Sequence, residues 1–269
     1  SDRRILVSSA GAYGDSGLGS ARTVLILEGA VRDHAMGDES TYAARRLSRE
    51  LVRVASRTVA GASTHFLSMQ SALDNEALLP PQLPIGRNSD GLFAVTTRIV
   101  QPGSLTCYQD FALLHAPPEP RSFTAEDLHR WRLSPADLVM HLTVALADRL
   151  DSPDPEDRME ELGELFEQLA GEPTSGFAAA VHQVWLNTAV RYTEILDDLL
   201  DRYDHMPPLW AADVAALRDN VHEMMQDAGS LFGQDGCRLR AEDLRDIVGR
   251  YGSLLAAWPR LWQRMADRA

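Results

Sequence analysis

Apolar positions recur at helical spacing along much of this chain, and most clearly over residues 174–205. Val181, Trp185, Thr188, Tyr192, Ile195, Leu196, Leu199 and Tyr203 follow in steps of three and four, which puts them on one arc at about 100° per residue. Neither Gly nor Pro interrupts the pattern after Gly176, and Pro207-Pro208 ends it. The helix so predicted is about 40 Å long at roughly 1.5 Å per residue. A helix of that length with one apolar stripe needs partner helices.

The same periodicity predicts a second long helix over residues 40–69. Its stripe is Tyr42, Leu47, Leu51, Val54, Ala55, Val59 and Phe66, and its polar side is Arg45, Arg46, Arg49, Arg53 and Arg57. From residue 122 onward the start signals are sharp. Thr124 with Asp127, Ser134-Pro135 with Asp137, Asp154-Pro155, Pro208 and Ala241 each open a helix. Pro259 should kink or divide the last one.

Two stretches read as β. Residues 3–9 form a short strand, and residues 91–114 form a hairpin, LFAVTTRIV and LTCYQDFALL around a turn at Gln101-Pro102-Gly103-Ser104. Proline-rich linkers at 80–86 and 116–121 flank the hairpin. The fold class expected is mainly α: an antiparallel helical bundle with a small N-terminal β element, a short strand plus the hairpin. An α+β region over 1–121 would precede a bundle over 122–269, and the two may form one compact body.

Composition narrows the function. The chain has 269 residues and a formal net charge of −13, which argues against nucleic acid and anionic membrane as partners. It contains no lysine, so Schiff-base lysine chemistry and a Walker-type phosphate loop are excluded. Arginine supplies all the positive side-chain charge, as a high-GC bacterial genome would write it. Cys107 and Cys237 stand far apart with no zinc-ligand spacing, which makes a reducing cytoplasm the expected compartment, and no apolar run approaches the length of a membrane span.

Candidate chemistry is thin. Gly11, Gly14, Gly17 and Gly19 follow the first strand, but no GxGxxG fits them, and Arg22 is the one nearby cation for a phosphate. Asp197, Asp198 and Asp201 fit a DDxxD pattern that can hold Mg²⁺ on a diphosphate, though they point away from the apolar stripe. Glu126 and His129 make a single ExxH where a di-metal bundle needs two. The sequence requires no cofactor.

Two functional expectations follow. The first is a helical binding or regulatory module that meets a protein partner or self-associates by helix pairing. The second is a small-molecule binder or enzyme with its pocket between the 91–114 hairpin and the bundle. Its polar candidates are Arg22, Arg98, Tyr108, His141 and His182.

Overall fold

The computed structural model describes residues 3–15, 20–63, 66–226, 231–232 and 239–267. It is 59% helical, but its sheet is much larger than the sequence predicts. The strands are β1 (Arg4–Asp15), β2 (Glu50–Arg53), β3 (Val59–Gly61), β4 (Ser71–Leu73) and β5 (Ser104–His115). The helices are α1 (Gly29–Met36), α2 (Glu39–Arg45), α3 (Ser89–Val100), α4 (Ala125–His129), α5 (Pro135–Leu146), α6 (Pro155–Gly171), α7 (Thr174–Arg202), α8 (Pro208–Gln226) and α9 (Ala241–Ala266).

The expected helical bundle with a small β element is therefore corrected to a bundle joined to a five-stranded mixed sheet, curled into a half-barrel. Its axis is a parallel pair, β1 and β5, running from Arg4 against Ser104 to Gly14 against His115. The register shifts between Ile5 and Val7 and again between Ser9 and Gly11. Such bulges bend a strand and increase its twist. β2 and β4 pair antiparallel with the other edge of β1, and β3 pairs antiparallel with β5.

The expected 91–114 hairpin does not form. Its first half is α3, which buries Leu92, Phe93, Thr96, Thr97 and Val100, the three-and-four spacing of a helix. The β-branched residues Val95, Thr96, Thr97, Ile99 and Val100 suggested a strand. Burial of this face overrides that preference, and Thr97 Oγ1 bonds back to Phe93 O at 2.8 Å. The second half is β5, which pairs with β1 instead of with its own neighbour.

The second long helix also fails. Helix α2 stops at Arg45, and the chain continues into β2, β3 and β4. Ser48, Ser56, Thr58, Gly61 and Ser63 dilute helix propensity throughout this segment.

The helices after residue 122 begin at the expected start signals, but of the stripe expected on α7 only Val181, Trp185, Leu196 and Leu199 are buried, and Ile195 is exposed. α5 opens with a capping box between Ser134 and Asp137, α4 with one between Thr124 and Asp127, and Asp154 caps α6. α7 buries Phe177, Val181, Trp185, Ala189, Thr193, Leu196, Leu199 and Leu200. Pro259 lies inside α9, which runs on through it. Residues 227–230, where α8 is expected to continue, lie outside the described residues, as do Gly17, Gly19 and Cys237. A second, smaller core joins the sheet to α3: Leu6, Val7, Phe66, Leu79 and Phe93, with the Phe66 and Phe93 rings 4.9 Å apart.

Candidate functional site

β2 and β3 occupy opposite edges of the four-strand order β2-β1-β5-β3, yet residues 54–58 alone connect them. That link reaches about 20 Å at full stretch, and it passes over the sheet as a strap. It comes so close to β1 that a Cβ on Gly11 would lie 2.4 Å from Arg53 O and 2.9 Å from Val54 Cα. Only glycine fits under such an approach.

A cavity of about 300 Å³ lies between strap and sheet. Ala10, Ala12, Val54, Val59 and Leu67 supply its apolar walls, and Ser9, Gln70, Tyr108 and Gln109 its uncharged polar groups. The polar groups are tied in place. Gln70 Nε2 donates to Ala10 O at 2.9 Å, Gln109 Nε2 donates to Ser8 Oγ at 2.7 Å, and Ser71 Oγ donates to Ser9 Oγ at 3.1 Å.

Among the described residues, the cavity's one charged lining residue is Arg53, which is also exposed to solvent. Desolvation lowers the pKa of its guanidinium, with the nearby Tyr108 hydroxyl opposing the shift. Among the described residues no carboxylate pairs with it. Its neighbours behave differently. Asp15 at the end of β1 accepts from Arg121 at 2.9 Å and from Arg49 at 3.1 Å. Arg121 first and Arg49 second hold the Asp15 carboxyl below its usual range, against a desolvation effect in the opposite direction. This clamp fixes the start of β2, and hence the place of Arg53.

Charge is unevenly divided along the chain. Residues 1–121 carry twelve arginines and twelve Asp or Glu, so the whole −13 falls on residues 122–269. The cavity thus lies in the neutral part of an acidic protein.

The expected site residues separate into three places. Tyr108 lines the strap cavity. Arg98 donates to Ser104 O and lines a neighbouring hollow of about 360 Å³ with Arg3 and Gly103. Arg22, His141 and His182 belong to the helical half. Arg22 donates to Arg130 O and lies against Tyr192, and burial lowers its pKa. His141 Nδ1, His182 Nε2 and Trp185 Nε1 are buried without a hydrogen-bond partner among the described residues. Burial lowers the His141 pKa, partly opposed by Asp137.

Asp197, Asp198 and Asp201 are exposed on α7. Asp197 pairs with Arg218 at 3.0 Å and Asp198 with Arg202. Among the described residues no group of three or more His, Cys, Asp or Glu is arranged to hold a metal ion. The arginines expected on a single helix face disperse: Arg46 to Asp213, Arg49 to Asp15, Arg53 to the cavity.

Sequence reasoning missed one further constellation. Asp213 on α8, 3% exposed, accepts from Tyr42 Oη at 2.7 Å, from Arg46 Nη1 at 2.5 Å and from His129 Nε2 at 2.7 Å. Burial first, and the Asp213 carboxylate second, raise the Tyr42 pKa. The network ties α2 and α4 to α8. Its signal was present in the sequence, since Asp213 shares a helix face with the apolar residues Trp210, Val214 and Leu217.

No family model, no curated protein and no solved structure matches this chain. Among the described residues no helix is long and apolar enough to cross a membrane.

Proposed function

We propose that this protein binds a small carboxylate with an apolar body in the cavity between the strap and the half-barrel. The observation that carries the reading is Arg53, an arginine without an acidic partner among the described residues, at a cavity whose other described lining residues are uncharged and largely apolar. A lone guanidinium suits a singly charged carboxylate, which it can grip through two parallel hydrogen bonds. The volume of about 300 Å³ is at the small end for ligand pockets. The glutamines and Tyr108 then orient the ligand instead of neutralising it.

This pocket is not the one expected from the sequence, which placed it between a hairpin and the bundle. It shares Tyr108 with that expectation and replaces the other polar candidates with Arg53, Gln70 and Gln109.

Isothermal titration with octanoate tests the reading. Octanoate is expected to bind the wild type and to bind Arg53→Met at least tenfold more weakly, the scale of one charge-assisted hydrogen-bonded contact at about 1.5–3 kcal/mol. Octanol, which has the same body and no charge, should not distinguish the two proteins. No octanoate binding at millimolar concentration, or equal binding by both proteins, refutes the proposal.

A further inference from the structure

A second hollow, of about 360 Å³, lies where the two long strands begin. The parallel pair of β1 and β5 starts with Arg4 against Ser104, so the residues that lead into these strands, Arg3 and Gly103, are neighbours at its rim. Ala60 of β3, Leu105 of β5 and Pro102 line it as well, and Arg98 reaches it from the last turn of α3. The hollow shares no lining residue with the strap cavity.

Its charge is one-sided. The described lining residues include two arginines and no acid. Among the described residues neither arginine pairs with a carboxylate. The acids on the β4 side of β1 are already used, because Arg4 donates to Asp74 and, at 3.0 Å, to Glu76. Those bonds fix the start of β1 and leave Arg3 unneutralised. Arg98 is half-buried and donates to Ser104 O. It does so across a turn closed by Gln101 N to Thr97 O at 2.8 Å and by Ser104 N to Gln101 O at 2.9 Å. A guanidinium carries five N–H donors, so Arg98 is held in place and keeps donors for a ligand.

We propose that this hollow binds the phosphate group of a small phosphate monoester, gripped by Arg3 and Arg98 together, with Leu105 and Pro102 against its organic body. Two guanidiniums call for more negative charge than one carboxylate brings. A phosphate monoester carries about −1.5 to −2 at neutral pH and offers three acceptor oxygens, enough to engage both arginine forks at once. A carboxylate has one charge and two oxygens, which a single arginine satisfies. Arg98 is preorganised by its bond to Ser104 O, whereas Arg3 is exposed and can close over the ligand. The surroundings do not oppose an anion. Residues 1–121 carry no net charge, and exposed charges beyond roughly 8–10 Å are largely screened at physiological salt. The site and its ligand class are separate from the strap cavity and its monocarboxylate, so either assignment can fail without the other.

Isothermal titration of the full chain with phenyl phosphate, in a millimolar excess of octanoate, decides the matter. The wild type is expected to bind phenyl phosphate, and to bind it equally well without octanoate. Arg3→Gln and Arg98→Gln should each weaken binding at least about tenfold, as the loss of a charge-assisted contact implies. Arg3 is exposed and makes no other side-chain bond among the described residues, so the far-UV circular dichroism of Arg3→Gln should match the wild type. Ala60→Glu, at an exposed lining position, sets a carboxylate beside the two arginines and should abolish binding. Phenyl sulfate, with the same ring and a single charge, should bind the wild type at least about tenfold more weakly than phenyl phosphate. No binding of phenyl phosphate at millimolar concentration overturns the proposal. So does displacement of phenyl phosphate by octanoate, undiminished binding by Arg3→Gln or Ala60→Glu, or equal affinity for the two esters.

Discussion

His141 illustrates how a single side chain responds to its setting. It lies on α5 with Nδ1 buried and unpartnered among the described residues, and desolvation lowers its pKa from the ordinary 6.5. The folded state therefore takes up its proton at lower pH than the unfolded chain does. Below the ordinary value the unfolded state binds more protons, so acid favours unfolding. The stability contributed by neutral His141 is fully present above pH 6.5 and is lost as pH falls from there toward the folded-state pKa. Urea unfolding at pH 7.5, 6.5 and 5.5 should show this decline, and His141→Leu should flatten it. An unchanged slope in that variant would assign the decline to other groups. Asp213 is the contrasting case, a buried carboxylate whose charge is met by Arg46 and which also accepts hydrogen bonds from His129 and Tyr42. Both residues were visible in the sequence as polar positions close to apolar helix faces. What the sequence withheld was the partner: α2 with its C-cap Arg46, and α4, which supply Tyr42, Arg46 and His129, lie far from Asp213 along the chain.

Among elements, the helices that begin with a capping residue and a proline were legible because their signals are local. Ser134-Pro135 and Asp154-Pro155 depend only on the backbone next to them. α3 and β5 were not, because their identity is decided by what they pack on. The same β-branched composition reads as a strand in isolation and folds as a helix where two layers bury it. The contact between α6 and α9 shows how close such packing becomes. Gly163 and Gly252 face each other across the crossing. A Cβ on Gly252 would lie 2.8 Å from Gly163 O and 2.9 Å from Phe166 Cβ, and a Cβ on Gly163 would lie 2.5 Å from Ala256 N. An exposed helical Gly→Ala change stabilises by roughly 1 kcal/mol, but overpacking typically costs about 1–3 kcal/mol. Backbone atoms form the obstacle, so the cost prevails. Gly163→Ala is expected to lower the unfolding free energy by about 2 kcal/mol in urea titration, whereas Gly171→Ala, with open space around its Cβ position, should not lower it by a comparable amount. A neutral or stabilising Gly163→Ala would mean that the helices cross less tightly than the structure places them.

At the scale of the whole molecule, the sheet is what the sequence concealed. Its two long strands are parallel neighbours separated by most of the first half of the chain, and the three short ones are three or four residues each. Neither feature leaves a periodic signature. The candidate site was hidden with the sheet. Tyr108 stood out as an aromatic in a β-rich stretch, whereas Arg53 looked like one more arginine on a helical face. Its meaning appears only when the strap folds back over Gly11 and leaves the guanidinium beside an apolar cavity. The division of charge follows the same line: residues 122–269 carry the whole acidic excess, and residues 1–121, which supply the sheet and its cavity, are neutral overall.

The central claim is that the half-barrel, rather than the bundle, holds the ligand. The most direct measurement is a crystal structure of the protein with 6-bromohexanoate, read by the anomalous signal of bromine. A bromine peak is expected inside the cavity, near Val59 and Leu67, with the carboxylate directed at Arg53. A peak among the α5 and α7 side chains around His141 and His182, or an occupied cavity with the carboxylate turned away from Arg53, would contradict it.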